Sequence, residues 1–315
     1  MEYRTLGNTG LQISAVSFGA APLGNMFGAV EEKAALTTVR TAVECGVNFF
    51  DTSPYYGNGL SEERLGKALQ RRRHEVLIGT KAGRYGDDHF DYTPNRIRRS
   101  LEASLRRLHT DYVDIFQLHD IEFVELDDVF GDSYQELGKL RDEGKCRFIG
   151  MTGYPMRTLR RAVTETELDT VLSYARYTLL NTQLATELLP ACQRRGTAAI
   201  NAAAHSLGLL TATGTKFQNH PASSDIKAAA SRAARYCWGK GADIGFLASQ
   251  FSIQHSQCPT TVVGTATTEH LQNAIRAVTT PIDEELLAGV LAQTADVRRQ
   301  PWISGLPENN EYKTR

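Results

Sequence analysis

The chain of 315 residues contains no apolar run of the roughly 18 residues that a bilayer-spanning helix needs. Its opening, MEYRTLGNTG, lacks the charged-then-apolar pattern of a leader. Both absences set the expectation of a cytoplasmic protein with no membrane partner. Cysteine is sparse: five residues, at 45, 146, 192, 237 and 258, with no Cys-x-x-Cys pair. An odd, scattered set excludes a disulfide framework and suits reduced thiols in a cytosol. The eight histidines form no His-x-His or His-Glu-x-x-His motif, so no metal site is expected. No sign of charge dominates. Lysine and arginine number 35 against 36 aspartates and glutamates, a net charge of −1, which leaves no broad footprint for nucleic acid. The one basic run, Arg71-Arg72-Arg73-His74, reads as the solvated end of a helix. Low-complexity linkers are absent too, so residues 1–315 are expected to form a single domain.

What is present is an alternation. The opening YRTLGNTGLQISAV holds two short alternating runs joined at Asn8-Thr9-Gly10, the pattern of a β-hairpin. Eight short apolar runs follow, at 15–19, 48–52, 76–81, 113–119, 147–152, 170–174, 197–201 and 260–264. Three of them (the first, third and eighth) are nearly continuous, as strands buried on both faces are. Between them lie amphipathic segments at 31–46, 93–109, 127–144, 156–163, 182–194, 224–238, 242–253 and 268–277. The segment at 93–109 opens with Thr93-Pro94, a cap followed by proline at the first helical position. Strands alternating with helices predict a parallel sheet. Eight units at this length fit a closed (β/α)8 TIM barrel, with the hairpin at its lower mouth and an extra C-terminal helix near 282–294. The competing arrangement is a doubly wound open sheet, but its G-x-G-x-x-G fingerprint does not follow the first strand.

In such a barrel, chemistry sits at the C-terminal strand ends. Those ends collect Asp51, with Tyr56 five residues on, then Lys81, His119 with Asp120, Thr152, Ser173 and Asn201. Each has a plain alternative. An aspartate at a strand end caps turns, a tyrosine packs, a lysine is usually surface charge, and a histidine is often a satisfied core residue. Lys81, however, follows the apolar VLIGT, and a buried lysine needs an anion. Four such groups on consecutive strands make a coherent relay. A lysine beside a phenol is expected to lower the phenol's pKa, an aspartate to brace the lysine, and a histidine to orient a substrate oxygen. A proton relay without metal or nucleophile suits hydride transfer to or from a carbonyl.

In order and spacing, Asp51, Tyr56, Lys81 and His119 resemble the tetrad of the aldo-keto reductases. The resemblance extends over NFFDTSPYYGNGLSEERLG, TKAGRYG, DYVDIFQLHDIEF, GKCRFIGMTGYP, SLGLLTATG and WISGL, nearly the whole chain. It points to the sugar-oxidising members that act on L-galactose, L-fucose and D-threo-aldoses, with a pyridoxal-oxidising branch also similar. The resemblance implies Tyr56 as the acid/base, with Asp51 bracing Lys81. It also implies a nicotinamide cofactor spread across the mouth. Gly19, Asp51, Thr152, Ser173, Asn201, Ser206, Gly208, Gly264, Thr265, Thr267, His270 and Asn273 are its expected contacts. Three departures from the family pattern stand out: Thr152-Gly153 for Ser-Asn, Ala202 for an aromatic, and Asn273-Ala274 for Glu-Asn. Gly264 and His270 stand where NADP-specific members carry basic residues, so NAD is expected, with NADP possible. The expected substrate is a small molecule, an aldose oxidised at C1 to a lactone. Tyr56, His119, Asp120 and Trp302 would touch it, and Arg84, Tyr85, Tyr154, Arg176 and Tyr177 lie near the same mouth. The alternatives are a biosynthetic carbonyl reductase, a pyridoxal-type dehydrogenase, or a non-catalytic barrel subunit; a monomer or small homo-oligomer is expected.

Overall fold

A computed structural model describes residues 1–212, 214 and 220–311. Two antiparallel strands open it, β1 (Tyr3–Thr5) and β2 (Gln12–Ser14). Eight parallel strands then close into a barrel. They are β3 (Val16–Gly19), β4 (Phe49–Asp51), β5 (Leu77–Ala82), β6 (Val113–Leu118), β7 (Cys146–Gly153), β8 (Thr170–Tyr174), β9 (Ala198–Ala202) and β10 (Thr261–Gly264). Neighbours follow chain order, and β10 pairs with both β9 and β3 to close the ring. The predicted TIM barrel is thus observed, and each strand lies within one residue of its predicted span.

Around the barrel run α1 (Glu32–Glu44), α2 (Leu60–Leu69), α3 (Pro94–Leu108), α4 (Leu126–Asp128), α5 (Tyr134–Asp142), α6 (Met156–Glu165), α7 (Leu189–Arg195), α8 (Ser224–Gly239), α9 (Ile244–Gln254), α10 (Thr268–Thr279) and α11 (Glu284–Gln293). Among the described residues no helix is long and apolar enough to cross a membrane. Alternation along each strand sorts the core into two shells. Phe49, Ile115, Leu172, Ala198, Ile200 and Val262 fill the barrel interior. Phe18, Phe50, Ile78, Phe116 and Ile149 face the helices. Leu6 and Ile13 of the hairpin region join the inner shell. The Asn8 amide donates to the Gly196 carbonyl just before β9 (3.0 Å), so the hairpin plugs the N-terminal mouth as predicted.

Local departures have physical causes. The single helix predicted over 127–144 is broken by a wide turn at Val129–Ser133, where Gly131 leaves helical geometry (φ −87°, ψ −110°). Thr93 precedes α3 in extended conformation, but its hydroxyl donates to Asp91 (2.7 Å) instead of capping the helix. The basic run at 71–74 is not wholly solvated. Arg73 turns inward to the buried Asp114 (2.8 Å), which also accepts the Ile78 amide (2.9 Å) and so anchors the start of β5.

Candidate active site

The polar side of the mouth is built by three adjacent strands. Phe49 faces the barrel interior and Phe50 the helices, so Asp51, two residues beyond Phe49, faces in at the end of β4. By the same alternation Lys81 on β5 and Gln117 on β6 face in, with His119 just beyond. The Lys81 ammonium donates to Asp51 Oδ2 (2.6 Å) and to the Thr52 carbonyl (2.7 Å). Both side chains are buried. Breaking such a pair leaves an uncompensated charge and costs roughly 3–5 kcal/mol. The ammonium stands 5.1 Å from the Tyr56 ring centre. Tyr56 meets His119 edge-on, with ring centres 5.7 Å apart at 89°.

Tyr56 is placed by a loop that only glycine allows. Gly57 and Gly59 hold left-handed φ of 66° and 96°. A Cβ on Gly57 would collide with the Gly24 carbonyl. Among the described residues the Tyr56 hydroxyl makes no hydrogen bond, so it is free toward the mouth. The tetrad inferred from sequence is therefore one cluster in space.

Its electrostatics depart from the expectation at one point. Burial, reinforced by the Asp51 and Asp120 carboxylates and opposed by Arg84, pushes the Tyr56 phenol well above its ordinary value of 10. The lysine was expected to lower it. Lys81 is instead committed to Asp51 and the Thr52 carbonyl, and a tight ion pair presents little net charge to a third group. Tyr56 as a whole is only partly buried, and solvent eases this cost. Burial likewise raises Asp51, against the pull of Lys81. Burial lowers His119 to about 3, so its imidazole is neutral at physiological pH.

Asp120 follows His119 in a left-handed conformation (φ 56°), which aspartate tolerates better than most residues. The Arg84 guanidinium donates to its Oδ2 (2.6 Å) and Thr152 to its Oδ1 (3.3 Å). Arg84 also lies over the Tyr55 ring (4.3 Å), so Tyr55 forms a wall of the mouth. Trp302 stacks on Tyr154 (4.3 Å), which in turn meets Tyr174 (5.4 Å).

Other expected residues lie elsewhere. Ser173 shares the outward face of β8 with Val171, since Leu172 belongs to the inner shell. Asn201 also faces out, its amide reaching the Tyr177 carbonyl (3.3 Å) and Thr261 Oγ1 (3.4 Å). Tyr177 stacks on Phe251 of α9 (5.1 Å), and Arg176 is buried against Glu311 (2.7 Å). Tyr85 sits against His89 and Arg96. Sequence reading missed Gln117, Ser53 and Glu122. Gln117, two residues before His119 on the same strand face, was legible from alternation. Its amide lies 3.5 Å from Asp51 Oδ1. Ser53, bonded to His119 Nδ1 (3.0 Å), and Glu122, bonded to Ser304 (2.8 Å), carry no local signal.

The opposite side of the mouth is smooth. Adjacent strands β9, β10 and β3 end on Ala202, Gly264 and Gly19. Gly264 is exposed, and a Cβ there would meet nothing nearer than Pro22 (3.6 Å). Next to this floor, Ser206, Leu207 and Gly208 run consecutively through left-handed φ of 49°, 53° and 99°. Beyond β10, Thr265 is buried, and Thr267 caps α10 by accepting the amide of the exposed His270 (3.2 Å). Asn273 accepts from Arg276 (3.2 Å). A floor with no side chain larger than a methyl, beside the Tyr56 hydroxyl and the His119 ring, fits a flat ring lying across the strand ends. A separate cleft of about 450 Å³, lined by Gln183, Arg298 and Arg299 among others, contains none of these groups.

Comparison with known proteins identifies the family. The Aldo/keto reductase family model matches residues 15–291. L-galactose dehydrogenase of Arabidopsis thaliana is 42% identical over 319 residues, covering 98% of this chain and 99% of that protein. D-threo-aldose 1-dehydrogenase of a Pseudomonas species is 33% identical over 321 residues, covering 93% and 96%. The solved holo form of an aldo-keto reductase from Bacillus halodurans superposes with a TM-score of 0.76 at 23% identity, covering 99% and 100%, a likeness of fold. The chain belongs to the aldo/keto reductase family, oxidoreductases that work with a nicotinamide cofactor.

Proposed function

We propose that the protein is an NAD-dependent aldose dehydrogenase that oxidises the C1 hydroxyl of an L-galactose- or L-fucose-like sugar to the lactone. The observation that carries this reading is end-to-end similarity to two aldose dehydrogenases together with a tetrad gathered at one mouth. Bound nicotinamide supplies the hydride acceptor. Tyr56 takes the proton of the C1 hydroxyl, since its hydroxyl makes no hydrogen bond among the described residues while the Asp51 and Lys81 charges are spent on each other. His119, neutral, donates a hydrogen bond to the same oxygen. Asp51 and Lys81 hold the wall behind Tyr56. Asp120, with two acceptor oxygens beside His119, suits a neighbouring sugar hydroxyl. A smooth floor at Gly19, Ala202 and Gly264 would seat the ring of the cofactor, with Thr152 at its edge. Ser206, Gly208, Thr265, Thr267 and Asn273 lie along the course of its remainder; Ser173 and Asn201, facing outward, would support the floor from behind.

NAD is favoured because the first turn of α10 carries Glu269 and the exposed His270 and no lysine or arginine. A 2′-phosphate calls for a guanidinium fork. The decisive experiment follows reduced cofactor across a panel of L- and D-aldoses with NAD and with NADP. Preferential oxidation of an L-galactose-type sugar with NAD is expected; preference for NADP overturns the cofactor reading. His270→Arg should then raise kcat/KM with NADP by about tenfold, the worth of one charge-assisted contact.

A second reading, reduction of a carbonyl by reduced cofactor, is favoured by one observation. Tyr56 stands near the Asp51 and Asp120 carboxylates, and burial with those charges disfavours its phenolate, which suits an acid better than a base. The same assay run in reverse, on pyridoxal and simple aldehydes, separates the two.

A further inference from the structure

His119 can donate to a substrate oxygen only from a ring nitrogen that carries a proton. Its Nδ1 lies 3.0 Å from the Ser53 hydroxyl. That hydroxyl oxygen already accepts the Tyr55 amide at 3.1 Å. It makes no other hydrogen bond among the described residues. A serine hydroxyl has one proton to give, and Nδ1 is the acceptor in reach. The imidazole proton then belongs on Nε2. The far side of the ring agrees: Nε2 lies 3.7 Å from Asp120 Oδ2. An N–H is attracted there and a lone pair repelled. The reverse tautomer would strand the Ser53 proton and face a lone pair to a carboxylate. Ser53 and His119 are 0% and 4% exposed, so water offers neither an easy substitute.

We propose that Ser53 is a positioning residue that locks His119 in the Nε2–H tautomer and aims that N–H at the substrate oxygen. Its carbonyl also accepts the Tyr56 amide (3.1 Å), so one residue sets the register between the phenol and the imidazole. Only the identity of the oxygen rests on the aldose dehydrogenase reading.

The test is long-range proton–nitrogen NMR on the whole protein with labelled histidine, the His119 signals being those lost in His119→Gln. Nδ1 should appear as a bare ring nitrogen and Nε2 as N–H throughout pH 5 to 8. A proton on Nδ1 in the wild type overturns the proposal. Ser53→Ala should mix the tautomers and lower kcat/KM about tenfold, chiefly in kcat, with cofactor Kd unchanged. Ser53→Thr, which keeps the hydroxyl, should recover most of that loss. A Ser53→Ala protein with wild-type kcat and an unmixed tautomer overturns it equally. If Ser53→Ala fails to fold, the wild-type spectrum decides. If no aldose is oxidised, the substrate reading fails while the tautomer is still determined.

Discussion

The two sides of the barrel mouth present opposite solutions to being useful. On β4, β5 and β6, the proposed chemistry calls for particular groups: Asp51 and Lys81 locked at 2.6 Å, with Gln117 and His119 beside them. On β9, β10 and β3, the proposed cofactor seat calls for the absence of large groups: Ala202, Gly264 and Gly19 leave a floor clear. The polar side is the electrostatically demanding one: burial disfavours the charged forms of Tyr56, Asp51 and His119 alike. The smooth side carries almost none. A substitution on the first should therefore change chemistry and pH dependence, and a substitution on the second should change binding alone.

Tyr56→Phe is the strongest test of that division. Removing the free hydroxyl should lower turnover by about 10² to 10⁴ while cofactor Kd, measured by fluorescence titration, stays within about twofold. Near-normal turnover would show that the phenol is not the proton acceptor. Lys81→Met should come next. Leaving Asp51 unpaired should destabilise the fold by roughly 3–5 kcal/mol in urea titration. At alkaline pH, where Asp51 is ionised, a carboxylate without its counter-charge disfavours the phenolate. The pH at which oxidation becomes fast should therefore rise. A profile of unchanged midpoint would mean that Lys81 only packs.

Gly264→Leu breaks the comparison from the other side. The position is exposed and its φ is ordinary, so stability should change by no more than about 0.5 kcal/mol. Cofactor Kd should rise about tenfold or more, with the pH profile of bound enzyme unmoved. Equal Kd in mutant and wild type would remove the floor from the cofactor's path.

The smallest effect is expected behind the polar side. Glu122 is fully buried, and burial, aided by Asp120, raises its carboxyl to about 8 from an ordinary 4.5. Its folded pKa exceeds its unfolded one, so the folded state holds the proton more tightly. The stabilisation is complete below about 4.5 and is lost as pH rises through about 8. Melting temperature should fall between pH 5 and 9 in wild type and vary less in Glu122→Gln. Parallel curves for the two proteins would assign the slope elsewhere.

The order of elements was legible in the sequence because each strand and helix carries its own periodicity. The eight runs and their intervening amphipathic stretches specified a barrel, and strand ends specified which residues face one mouth. Asp51, Lys81 and His119 were readable for the same reason: a charged or titratable group at the end of an apolar run is a local anomaly. Tyr56 was readable only by its distance from Asp51 and the glycines that flank it. Tertiary structure alone decided the rest. Ser173 and Asn201 also lie near the ends of apolar runs, yet pleat parity turns them to the helices, and parity depends on the register of β8 and β9 with their neighbours. Ser53 acquires a role only because β6 brings a histidine, 66 positions away in sequence, within 3.0 Å. The titration of Tyr56 was misjudged from sequence because the sign of its shift depends on which carboxylates crowd it and on how completely Lys81 is already neutralised. Those are distances between strands, and no local pattern encodes them.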